Sequence, residues 1–161
     1  MEVNACREAL AAILATEATQ LAELASLLDR EHGLLVANNI DTLEAVMAER
    51  QIAVGKLLSA EEERRGLCRM HGRGVDAAGV MQLMNWCDPQ GSLRSRWEEC
   101  ARGATRCREL NDRNGALVMA RMKRVETLLT ALTGKPREVP TYGPKGAYAP
   151  ARSGRVLATE A

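Results

Sequence analysis

Phenylalanine is absent from the 161 residues, and tryptophan and tyrosine appear twice each. Strands are enriched in aromatic and β-branched residues, and ligand pockets are lined by aromatics, so this shortage speaks against a sheet and against a broad apolar pocket. An excess of one charge is also missing: 22 Lys and Arg stand against 21 Asp and Glu, a net +1. No global field therefore favours nucleic acid or an anionic membrane. Apolar runs fall short of the ~20 residues that span a bilayer, and Glu2, Arg7 and Glu8 interrupt the first of them as a signal peptide would not. The expectation is a cytoplasmic protein with no direct membrane insertion and no nucleic-acid partner.

The chemistry of catalysis is equally sparse. Gly72 and Gly74 lack the spacing of a phosphate-binding loop, and His32 and His71 are the only histidines. Five cysteines form an odd set, which fits reduced thiols better than a disulfide framework. Cys68 and His71, three apart, share a helix face and with Cys100 and Cys107 make the best metal set, but the spacing matches no zinc ribbon. Core packing is the preferred reading of these thiols. No catalytic residue, no metal and no cofactor is expected.

What is plentiful is Ala, Leu, Met, Glu and Arg, all good helix formers. From about Val3 to Val36, Leu10, Leu14, Leu21, Leu24, Leu28 and Leu35 recur in steps of three, four or seven, a heptad seam whose empty places hold Glu17 and Glu31. Asn38 and Asn39 break it, and Asp41 with Glu44 predicts the capping box of a second helix. That helix has Met47, Val54 and Leu57 on its seam, with Leu43 and Leu58 alongside, interrupted by Arg50, Glu61 and Arg64. A turn near residue 40 folds the pair antiparallel, so facing positions add to about 81 and Glu31 meets Arg50 while Glu17 meets Arg64. These are expected to be register-setting ion pairs, the alternative being long side chains that snorkel at the seam edge.

Gly72 and Gly74 end the second helix, and Asp76 caps a short helix through Cys87. On that helix Met81, Met84 and Trp86 are expected to close one end of a bundle, with a sticky binding surface as the alternative. The arginines Arg64, Arg65, Arg69 and Arg73 follow Glu61, Glu62 and Glu63, a compensated and solvated helix end. From Ser92 a helix of about 40 residues runs to Thr133, ~60 Å long, with its seam at Leu93, Trp97, Cys100, Ala104, Cys107, Asn111, Asn114, Val118, Arg121, Val125, Leu128 and Leu132. Asn111 and Asn114 would then be buried amides that fix register.

Beyond Thr133 the composition changes. Pro136, Pro140, Pro144 and Pro150 fall here with Gly134, Gly143, Gly146 and Gly154, in a stretch with too little apolar content for a core. The expectation is an all-α fold, an antiparallel bundle of three long helices and one short one over residues 1–133, with a disordered tail over 134–161. Tyr142 and Tyr148, the only tyrosines, flank Gly-Pro-Lys-Gly within it and read as recognition residues.

The Leu-rich first helix with Glu17 and Glu31, the segment from Trp97 onward, the run Leu110-Asn111-Asp112-Arg113-Asn114-Gly115 and the late Thr141-Tyr142-Gly143-Pro144-Lys145-Gly146 together resemble the FlgN family of flagellar export chaperones. The resemblance covers about residues 8 to 146. It implies a cytoplasmic, non-enzymatic chaperone of type III flagellar export that binds hook-filament junction proteins through their C-terminal helical segments and prevents premature assembly. The matching grip would be Val125, Leu128, Leu129 and Leu132, and Tyr142, with Gly143 and Gly146 beside it, would dock to the cytoplasmic domain of the export gate. Three helices joined by short loops leave the end of a ~60 Å helix without an equally long partner, which makes such a grip physically reasonable. The rival reading is a self-associating coiled-coil scaffold or regulator without an export client; a homodimer is left open.

Overall fold

The computed structural model describes residues 2–135, which form four α-helices: α1, Val3–Ala37; α2, Ile40–Met70; α3, Ala77–Cys87; and α4, Arg94–Thr133. The expected all-α architecture of three long helices and one short one is what folds. By packing the chain divides into two units, Met1–Val118 and Met119–Ala161, with the break inside α4.

In the first unit α1 and α2 form an antiparallel hairpin with a two-residue link. Asn38 takes the left-handed conformation (φ 56°) that closes α1, one that asparagine tolerates better than most residues. Asn39 then caps α2, its side chain accepting from the Thr42 amide at 3.2 Å. The cap is thus two residues earlier than the expected Asp41, which sits in the first turn where its charge complements the helix dipole. Asp76 caps α3 as expected, accepting from the Gly79 amide at 2.9 Å. Buried Asp88 organises the entry to α4, accepting from the Ser92 hydroxyl at 2.9 Å and the Leu93 amide at 2.7 Å.

The core runs along the α1 leucines. Leu10, Leu14, Leu21, Leu24 and Leu28 pack with Leu67 of α2, Val80 and Leu83 of α3, and Leu93 and Leu110. A smaller cluster of Leu27, Val46 and Ala53 continues toward the hairpin turn. On α2 Val46, Ala53, Ala60 and Leu67 are buried at every seventh residue, with Cys68 buried beside the last of them. The expected seam is kept in part: Val54 and Leu57 are half-buried against the core, whereas Met47 and Leu58 are exposed and the small Ala53 and Ala60 take the innermost places. Met84 is buried and Met81 half-buried at the α3 end, while Trp86 is exposed and lies against His71, ring centroids 4.8 Å apart and planes tilted by 43°.

By length and composition α1 is apolar enough to cross a membrane. The core helix of a soluble bundle passes the same test, and α1 spends its leucines on α2, α3 and α4 and carries two buried, ion-paired glutamates.

Candidate binding surface and the seams that frame it

Two sets of polar contacts fix the helices of the first unit. Between α1 and α2, Arg50 donates to both carboxylate oxygens of Glu31 (2.9 and 3.3 Å), and Arg64 Nε donates to Glu17 Oε1 at 2.9 Å. The position numbers of both pairs add to 81, the sum the hairpin geometry requires. Both glutamates are buried, so these are not the exposed pairs whose worth is about 0–1 kcal/mol. Removing either arginine would strand a carboxylate in the interior, where the cost is about 3–5 kcal/mol. Arg64 also lies over the Trp97 ring at 5.3 Å and so ties α4 to the same seam.

The second set joins α1 to α4. Cys100 Sγ donates to the Leu14 carbonyl (3.4 Å), Cys107 Sγ to that of Leu21 (3.3 Å), and Asn114 Nδ2 to that of Leu28 (2.8 Å). Each partner is 86 positions away and the rungs are seven apart, so α1 and α4 run parallel in a fixed heptad register. With the amide nitrogen of Asn114 committed to Leu28, its Oδ1 accepts from His32 Nδ1 at 3.1 Å. The small rungs allow close approach: a Cβ on Gly103 would lie 3.1 Å from Leu21 Cβ.

This corrects the expected α4 seam. Asn114 is buried but Asn111 is exposed, as is Ala104. Cys100, Cys107 and Asn114 face α1 as expected, but between them the stripe takes in Gly103 and Leu110 in place of Ala104 and Asn111, with Gly103 against Leu21. The seven-residue spacing of Cys100, Cys107 and Asn114 against Leu14, Leu21 and Leu28 was the available signal for the ladder.

The metal set weighed and set aside on sequence grounds is not assembled among the described residues. Cys100 and Cys107 are spent on the ladder, His71 lies against Trp86, and Cys68 is buried near Cys6 and Cys87. No group of three metal-ligating side chains occurs among the described residues. Burial raises every thiol pKa. Cys6 rises from 9.0 to about 11, with the neighbouring Cys87 adding to the effect, and Cys100 rises to about 11, with Glu17 adding. Cys68, Cys87 and Cys107 rise for the same first reason. These are thiols held protonated, the opposite of activated nucleophiles. The basic cluster is largely compensated too: Arg64 pairs with Glu17, Arg65 with Glu61 and Arg69 with Glu62.

In the second unit α4 carries a different surface. Val125, Leu128 and Leu129 are 55–56% exposed and Leu132 is 83% exposed. Met119 and Met122, which the sequence reading had not singled out, extend the same stripe at 71% and 63%. A groove of about 1060 Å³ opens beside part of it, lined by Met119, Met122, Val125 and Leu129 with the charged Arg121, Lys123 and Glu126, and not by Leu128 or Leu132. Six large apolar side chains in fourteen residues make a patch of the kind that marks an interaction site. Tyr142, Gly143 and Gly146 lie outside the described residues, as does, from residue 136 onward, the tail expected to be disordered.

A family model described as FlgN protein matches residues 1–150. No curated protein and no solved structure matches the chain.

Proposed function

Because the chain belongs to the FlgN family and is a flagellar export chaperone, we propose that its clients are the hook-filament junction proteins, held through their C-terminal helical segments in the cytoplasm until export. The family is one of chaperones rather than enzymes. The observation that carries the client reading is the apolar stripe of α4, Val125, Leu128, Leu129 and Leu132, open to solvent. An amphipathic helix laid into it by helix-in-groove contact would bury leucines worth about 1.5–3 kcal/mol each. Occupying the client's own assembly helix in this way prevents premature polymerisation. Tyr142, with Gly143 and Gly146 beside it, is assigned to docking on the cytoplasmic domain of the export gate, which separates cargo binding from delivery.

The test is calorimetric titration of the purified chain with a synthetic peptide of the C-terminal ~40 residues of a junction protein. Saturable one-to-one binding with a negative heat-capacity change supports the reading. No binding of any junction-protein terminus at tens of micromolar, together with a concentration-dependent homodimer, would assign the stripe to self-association instead.

A further inference from the structure

The edges of the α4 stripe carry information that its apolar residues do not. At about 100° per residue, the arc from Leu128 through Leu132, Val125, Leu129 and Met122 to Met119 covers about half the helix circumference, with half-buried Arg121 inside it between Leu128 and Leu132 and Glu126 inside it next to Met119. Arg124 stands one turn before Leu128 at one edge, and Lys123 one turn after Met119 at the other. Both are exposed, and neither takes part in an ion pair among the described residues. Half-buried Glu126 is the one acid among described residues 119–135, and it lies on the Lys123 side, which leaves the Arg124 edge the more strongly basic.

We propose that the segment this stripe takes is an amphipathic helix whose apolar face is bordered by carboxylates, so that Lys123 and Arg124 select an acidic-edged client. This rests on the reading of the stripe as the client site. Charge complementarity at the rim steers encounter and rejects wrong partners, whereas the apolar centre supplies affinity without telling one leucine-rich helix from another. A second copy of the chain is disfavoured, since two such stripes would bring like-charged edges together. A lipid surface is a poorer fit, because the stripe has none of the aromatic side chains that anchor interfacial helices and carries Glu126 at its border.

The experiment uses the full chain, the junction-protein terminal peptide, and the same peptide with its Asp and Glu changed to Asn and Gln, at about 50 and about 500 mM salt. At low salt the neutralised peptide is expected to bind about tenfold more weakly than the parent, with the gap closing at high salt. The variant Lys123→Glu with Arg124→Glu should weaken the parent peptide about tenfold, leave the neutralised peptide unaffected and keep its circular dichroism, since both positions are exposed. Equal binding of the two peptides would overturn the charge selection while leaving the client site standing. Failure of both peptides to bind would remove the client site and this inference together. Should the double variant lose binding to phosphatidylglycerol vesicles but keep that of the parent peptide, the edges would belong to a membrane contact.

Discussion

Arg64 shows how much one side chain can hold. It bonds buried Glu17 and covers the Trp97 ring, so three helices meet on it. Arg64→Met should destabilise the chain by about 3–5 kcal/mol in urea unfolding, because Glu17 is left charged and dry. The double change with Glu17→Leu should recover most of that loss, and a double variant as unstable as the single one would contradict the argument. The thiols make a second prediction. Their folded pKa values lie above the ordinary 9.0, so the protonated folded state is fully favoured below pH 9 and loses stability as pH rises toward about 11. Melting temperature measured across that window should fall, and fall less for Cys100→Ala than for the parent chain. Identical slopes would mean other groups govern the alkaline limb.

Among the elements, the α1–α2 hairpin was legible in the sequence because its facing positions depend only on the centre of the turn. Glu31 with Arg50 and Glu17 with Arg64 follow from that single number. The α4 seam was not legible to the same degree. Steps of four and three admit two stripes one residue apart, and only the contact of Gly103 with Leu21 decides between Asn111 and Leu110. The cap of α2 was missed for a related reason: two adjacent asparagines can share the work of ending one helix and starting the next, and Asp41 looked like the better cap in isolation. The two α4 glycines separate these effects. A Cβ on Gly115 meets nothing within 4 Å, so Gly115→Ala should stabilise by about 0.5–1 kcal/mol through helix propensity alone. Gly103→Ala brings the same propensity gain but crowds Leu21, and denaturant unfolding should show it falling short of its counterpart. Equal gains would mean that α4 moves away from α1 without cost.

For the molecule as a whole, the proposed function divides stability from recognition between the two units. Residues up to 118 hold the buried glutamates, the thiol ladder and the leucine core, while the described residues from 119 onward present methionines, valine and leucines to solvent. The proposed grip residues follow from the length of α4 and the family resemblance together. Met119 and Met122 were missed because the heptad count passed them by, although their flexible, polarisable side chains suit a surface that must adapt to a client. The account stands on the claim that this stripe binds and does not fold. Its most direct test is titration of the chain carrying Leu128→Asp and Leu132→Asp with the junction-protein terminal peptide, with circular dichroism recorded on the same sample. Loss of binding at unchanged helicity is the predicted result; undiminished binding, or collapse of the helical signal, would contradict it.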